Sequence, residues 1–282
     1  MQKSGITAHC LVRNEENWVW YAINSVLDFV DSVIVFDTGS TDKTVEIVKT
    51  IKSSKIIFEQ KGEVNKQTYA QLRQEMLDRT GTRWFLVLDG DEIWPEVTIC
   101  ELVTTIKKAT HTIDTVVVGE WMCQGDVFHY SKEVAQLVDP NVPNMPGYRL
   151  ARAIKKVPGL HVIGYYGIES YADKHNLNVS YWSKQRQVYI THKFWHMSFL
   201  PRSAVIAKDR QVMMRGPKTR FNMGVAFSGD ITYPEVFYKQ RPAIVPSPWR
   251  KMTTKIKIVG AYFRLINFLA RRFYVGEVPI SL

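Results

Sequence analysis

Cysteine is scarce in this chain of 282 residues: Cys10, Cys100 and Cys123 are odd in number, show no CxxC spacing and sit among apolar neighbours. That pattern excludes a disulfide framework and a structural zinc site, and reads as reduced core thiols. Long apolar runs are missing too. The longest, such as 157–168, is broken by Pro158, Gly159 and Gly164 and is too short to span a bilayer. No signal-peptide hydrophobic region follows Met1-Gln2-Lys3-Ser4-Gly5, so export is not expected and a cytoplasmic location is. Low-complexity tracts and solenoid-period repeats are absent, and 45% hydrophobic residues with 12% aromatics exclude a mainly disordered chain. Acidic residues run out towards the C-terminus, where residues 241–282 carry eight Lys and Arg against the single Glu277.

What is present begins with the run Phe85-Leu86-Val87-Leu88-Asp89-Gly90-Asp91-Glu92, a buried-strand pattern that ends in three carboxylates within four residues. Such a cluster repels itself unless positive charge sits in it. Hard oxygen ligands favour Mg²⁺ or Mn²⁺, and a magnesium-type site takes one or two protein carboxylates and leaves its other positions to water and substrate phosphates. The plain alternative is a solvated acidic turn after a core strand.

The surrounding pattern bears on that choice. Residues 6–12 read as a buried strand, with Asn14 as the N-cap of a helix running to about residue 29 and Glu15 and Glu16 in its first turn. Residues 32–36 give a second strand, 42–52 a helix, 55–58 a third strand, and Tyr69, Leu72 and Met76 mark a third helix before strand 84–88. This rhythm predicts an α/β fold with a mostly parallel central sheet and helices on both faces. Ligands of such sheets bind beyond the carboxyl ends of the strands, where Arg13, Asp37 and Asp89 stand together. Beyond residue 97 a helix to about 109 and strands at 114–120 and 149–154 are expected, whereas 183–240 show no clear period.

Taken together, Leu-Val-Arg-Asn-Glu-Glu (11–16), Val-Ile-Val-Phe-Asp-Thr-Gly-Ser-Thr-Asp-Lys-Thr (33–44), Tyr-Ala-Gln-Leu-Arg-Gln (69–74) and Leu-Asp-Gly-Asp-Glu (88–92) resemble glycosyltransferase family 2 in type, order and spacing. The resemblance covers roughly residues 5–95 and weakens to about 200. It implies a Rossmann-like nucleotide-diphospho-sugar transferase fold of the A-type, a nucleoside-diphosphate sugar donor, a Mn²⁺ or Mg²⁺ ion and inversion at the anomeric carbon. It further implies that Asp37 contacts the donor base, that Val12, Arg13 and Asn14 line the same pocket, and that Arg73 reaches towards the nucleotide. Asp89 would touch the ribose and Asp91 would ligate the metal.

The family usually supplies its catalytic base from a Glu-Asp or His-Glu pair, and neither pair stands in the expected region. Glu169 lies about where the His-Glu form would place its Glu, with Ile168 instead of the His; Glu120 and Asp126 compete. His192 and His196, four apart, could share a helix face, and His196 is the choice to complete the metal shell as late histidines do in related folds.

The expected organisation is a catalytic domain over 1–240, with a nucleotide-binding half to residue 95 and an acceptor half after it, followed by a basic amphipathic segment at 241–282. Within 249–273 basic and apolar residues alternate, which fits either a peripheral membrane contact near a glycan or lipid-linked acceptor or packing onto the catalytic body. No nucleic-acid partner is expected. Two other functions stay open: a phosphatase or phosphotransferase of the haloacid dehalogenase type using Asp-Gly-Asp, and a basic binding protein without catalysis.

Overall fold

The computed structural model describes residues 3–138, 144–205, 207, 208, 212, 215, 223–254, 257, 258 and 260–262. Strands β1 (Lys3–Val12), β2 (Ser32–Asp37), β3 (Ile56–Gln60) and β4 (Thr82–Asp89) pair in parallel in the spatial order β3-β2-β1-β4. Alternation along each strand divides its side chains between two faces. Ala8, Cys10 and Val12 of β1 and Leu86 and Leu88 of β4 pack with α1 (Val19–Val26), α2 (Thr44–Thr50) and α4 (Glu96–Lys108). On the opposite face, Leu11, Ile34 and Phe36 meet Met76 of α3 (Lys66–Arg79), and Phe85 and Val87 meet Leu77 of the same helix. Helices therefore cover both faces, as the alternating rhythm predicts.

The second half turns the sheet antiparallel before one strand returns to parallel. After β5 (Glu92–Ile93), β6 (Thr115–Gln124) and β7 (Asp126–Tyr130), helix α5 (Lys132–Ala135) leads to β8 (Arg149–Lys155), which joins β4 to β6 through antiparallel pairings. β9 (His161–Ile163) and β10 (Ser170–Ala172) form a small hairpin sheet apart from the main one. β11 (Gln187–Phe199) then runs parallel to β6 and antiparallel to β5, and β12 (Val225–Ala226) closes the edge on β7. Among the described residues the main sheet has ten strands. No helix among them is long and apolar enough to cross a membrane.

Two local expectations change. Asn14 does not cap α1, which starts at Val19; its φ of 53° is left-handed, whereas an N-cap needs extended backbone. Its Oδ1 instead accepts the N–H of Thr41 at 2.7 Å and of Asp42 at 3.3 Å, clipping the β1 end to the loop before α2. His192 and His196 lie on β11 and not on a helix. The period of that strand is broken by register shifts between Tyr189 and Lys193 and between His196 and Phe199.

The division at residue 240 does not mark where the body ends. Val245 and Met252 are buried, Trp249 packs on Phe237 and Tyr233, the Tyr21 hydroxyl donates to Pro246 O at 2.7 Å, and Met252 N donates to Asp126 Oδ2 at 2.9 Å. Of 249–273, where the alternation of basic and apolar residues is expected, all but 249–254, 257, 258 and 260–262 lies outside the described residues.

His9 illustrates what this burial does to a titratable group. The Thr80 hydroxyl donates its single proton to Met76 O at 2.8 Å, so His9 Nε2, 2.6 Å away, must be the donor to Thr80 Oγ1. Nδ1 has no partner, and the ring stacks on Phe85 at 4.8 Å. Burial, helped by the charges of Arg73 and Lys156, pushes the imidazole from 6.5 down to about 3. The unfolded chain therefore binds a proton that the folded chain refuses, so stability is lost as pH falls from about 6.5 towards 3. Between pH 7 and pH 5 the expected loss from this group is about 2 kcal/mol. Denaturant titrations of the wild type and His9→Gln should differ by that much in pH dependence, and equal slopes would refute it.

Candidate functional site

The acidic turn sits where β1 and β4 end side by side. Gly90 is required there, because a Cβ at that position would come within 2.8 Å of Val12 Cγ1 and 2.9 Å of Glu15 Cγ. The turn borders a cavity of about 250 Å³ lined by Val12 and Arg13 from the β1 end, Thr38 from the β2 end and Asp89 and Asp91 from the turn. Tyr69, Tyr166, Glu169, His196, Arg202 and Arg215 complete most of the wall. Val12, Arg13, Asp89, Asp91, Glu169 and His196 thus converge as the sequence suggested. Asn14 and Asp37 do not line it. Asp37 lies just behind Thr38, with Oδ2 accepting from the N–H of Gly39 and Ser40 and Oδ1 buried without a partner. Arg73 lies beneath Asp89 and lines a neighbouring cavity.

The self-repulsion of the three carboxylates is relieved by cations from distant parts of the chain. Asp89 takes Arg73 Nη2 at 2.8 Å and Arg152 Nη2 at 3.3 Å, which hold its carboxyl below the ordinary range against its burial. Glu92 is fully buried and paired to Arg152, so it anchors that guanidinium and does not face the cavity. Asp91 is 1% exposed; burial opposes its charge, yet Arg202 at 3.0 Å and His196 at 3.5 Å keep it well below the usual carboxylate range. Arg215 pairs with the buried Glu15, which Arg202 also reaches at 3.3 Å.

His196 is brought to Asp91 by pairing of β11 with β5, which sets His196 opposite Glu92 and lets Met197 N donate to Asp91 O at 2.9 Å. Its Nδ1 lies 2.8 Å from Glu120 Oε2, leaving Nε2 towards Asp91. Although burial disfavours its charge, the two carboxylates hold the imidazolium well above 6.5. A carboxylate behind the far nitrogen is also how metal-binding histidines are oriented. Asp91 Oδ2 makes no aligned hydrogen bond, so Asp91 would offer an oxygen to a hard divalent ion, and His196 a nitrogen once the ion displaces its Nε2 proton. Among the described residues no cluster of three or more His, Cys, Asp or Glu side chains could hold an ion, so phosphate oxygens would have to complete the shell.

The rivals for the base separate clearly. Asp126 is consumed by structure, accepting from Phe128 N, His129 Nδ1 and Met252 N. Glu120 is buried behind His196. Glu169 alone of the three lines the cavity, its Oε2 fixed by the N–H of Gly167 at 2.6 Å. The loop that carries it turns at Gly164, with φ of 80°, where a Cβ would fall 2.5 Å from Ile168 O. Tyr166 N bonds Lys66 O at 3.1 Å and its ring meets Tyr69 edge-on at 4.6 Å, tying the loop to α3. His192 is exposed and held by Glu101 at 2.7 Å, away from the site. Sequence reading missed Arg152, Arg202, Arg215 and Tyr166, none of which stands in a recognisable motif.

Several known proteins are similar to parts of this chain. An uncharacterised glycosyltransferase of Rickettsia typhi is 36% identical over 87 residues, 31% of this chain and 28% of that protein. The SPbeta prophage-derived glycosyltransferase SunS of Bacillus subtilis is 30% identical over 89 residues, 32% of this chain and 20% of SunS. The matched stretch thus spans less than a third of these relatives. Among solved structures, S. aureus TarS 1–349 has a TM-score of 0.46 at 15% identity, covering 68% of this chain and 60% of that one. The glucosyl-3-phosphoglycerate synthase of Mycobacterium tuberculosis, in complex with Mn²⁺, UDP and glucosyl-3-phosphoglycerate, has a TM-score of 0.39 at 20% identity, covering 54% and 57%. The profile of glycosyl transferase family 2 matches residues 10–168, more than half of the sequence, and the chain belongs to that family.

Proposed function

We propose that the protein is an inverting glycosyltransferase that moves a sugar from a nucleoside-diphosphate donor to an acceptor hydroxyl. The observation that carries this reading is the meeting of Asp91, His196, Arg202 and Arg215 on one wall of the cavity at the β1 and β4 ends, a mixed set suited to a diphosphate and its counter-ion. In this reading Val12 and Arg13 frame the donor base, Asn14 and Asp37 hold that frame from behind through the loop after β2, and Asp89 meets the ribose. Arg73 acts on the donor only through Asp89.

Asp91 and His196 would hold a Mn²⁺ or Mg²⁺ ion, which when bound supplies positive charge to the diphosphate as it leaves. Arg202 and Arg215 add fixed positive charge on the same wall, where the leaving group becomes more negative. Glu169 takes the proton of the acceptor hydroxyl while the new bond from that oxygen to the anomeric carbon forms. The bond from that carbon to the β-phosphate oxygen breaks in the same displacement, and its electron pair leaves with the nucleoside diphosphate.

The dehalogenase-type alternative needs Asp89 to attack phosphorus, but both its oxygens are engaged by guanidinium groups. An assay with Mn²⁺ distinguishes them: nucleoside diphosphate should be released from a panel of nucleotide sugars, with no turnover of p-nitrophenyl phosphate. Phosphomonoester turnover lost in Asp89→Asn, without donor turnover, would replace this function with the phosphatase.

A further inference from the structure

A second cavity, of about 290 Å³, lies against the first and shares Asp89 and Glu169 with it. We infer that this second cavity is the acceptor site and that it takes one neutral, hydroxyl-rich ring, a single sugar unit, whose reacting hydroxyl is presented to Glu169. The assignment rests on the glycosyl-transfer reading and adds to it the place and chemical class of the acceptor.

The charges of the lining balance. Two guanidinium groups, Arg73 and Arg152, are set against two carboxylates, Asp89 and Glu169. A hydroxyl donates to a carboxylate and accepts from a guanidinium at once, so a polyol ring satisfies both kinds of group. An anionic acceptor would meet Asp89 and Glu169, and a bare alkyl chain would leave the polar lining unpaired.

The lining also has unmet hydrogen-bonding capacity. Arg73 Nη1, Arg152 Nε and Tyr171 Oη are buried without a partner, although buried polar atoms are normally satisfied. The same three residues border this cavity. Ser170 and Asn178, already bonded to each other at 3.0 Å, add a hydroxyl and an amide. Leu150 and Val179 supply apolar wall for the C–H face of a ring. The volume suits a ring-sized ligand better than an extended one. Tyr148 and Ser180 are solvent-exposed and border the cavity, so the rest of a larger acceptor can continue outward.

Two variants fill the cavity without touching the donor cavity: Ser180→Trp at an exposed position, and Ala151→Phe on β8. The full-length chain is titrated with methyl β-glucopyranoside, methyl β-galactopyranoside and methyl N-acetyl-β-glucosaminide by saturation-transfer NMR, in the presence of UDP and Mn²⁺. Nucleotide binding is followed in parallel by thermal shift. At least one methyl glycoside should bind the wild type, and its affinity should fall about tenfold or more in Ser180→Trp with the UDP shift unchanged. Should Ala151→Phe fail to fold, Ser180→Trp still decides the matter. Equal glycoside affinity in a folded, plugged variant overturns the assignment. So does binding of glucuronate, glucose 1-phosphate or octanol in place of the methyl glycosides, or binding of none of them while UDP binds. If UDP and the other common nucleoside diphosphates all fail to shift the wild type, the donor reading fails instead.

Discussion

Transfer by Glu169→Gln should be about two to four orders of magnitude slower than by the wild type, the range that general-base catalysis supplies. The substitution keeps the size of the side chain and an amide oxygen that can still accept from Gly167 N, so the loop should hold its shape. Basicity alone is removed. Because Glu169 borders both cavities, it stands where an acceptor hydroxyl would lose its proton without contacting the donor base end near Thr38. Donor affinity, measured as the nucleotide-induced rise in melting temperature, should therefore stay at the wild-type value. Asp126→Asn is expected to lower stability and not the intrinsic rate, since each oxygen of that carboxylate pins backbone. A transfer rate for Glu169→Gln within a few fold of wild type would remove it from the mechanism.

Nucleoside diphosphate should stabilise the wild-type protein more with Mn²⁺ than with EDTA, and Asp91→Asn should abolish that difference. At a nucleotide concentration of about 100 times Kd the stabilisation is about 2.7 kcal/mol, roughly 5 °C in Tm for a chain of this size. The metal-dependent part is the quantity to read, and the sign of the other part differs. Asp91→Asn leaves the charges of Arg202 and His196 less neutralised, so nucleotide binding in EDTA should be maintained or strengthened. Loss of binding in both conditions would point to collapse of the site, and an equal shift with and without EDTA in the wild type would remove the metal from Asp91 and His196.

The first half of the fold was legible because its signals are local. Strands β1 to β4 are short buried runs bounded by turns, and α3 shows its inward residues at helical spacing, so their order and their parallel pairing follow from period and alternation. Boundaries shifted where a capping contact is not local. Asn14 looks like a helix cap, yet its Oδ1 serves a loop more than 25 residues away. β11 was not legible at all, since its bulges interrupt the two-residue period that identifies a strand. The same interruption made His192 and His196 look like a pair on a helix, when one is a surface residue bonded to Glu101 and the other faces Asp91.

For the site, the sequence alone determined the acidic half. Asp89 and Asp91 follow a buried strand, and a carboxylate at the end of such a strand reaches the ligand-binding rim wherever the rest of the chain goes. The sequence also determined that this charge needs a cationic partner, by electrostatics that hold in any fold. Only the tertiary structure decided which partners come. Arg152 arrives through the antiparallel pairing of β8 with β4, His196 through the pairing of β11 with β5, and Arg202 from the chain beyond β11. Glu169 was separated from Glu120 and Asp126 in the same way, because cavity exposure depends on neighbours distant in sequence. Strand propensity and charge are properties of short segments, whereas the approach of residues 60 to more than 100 positions apart is set by sheet register, which no local pattern records.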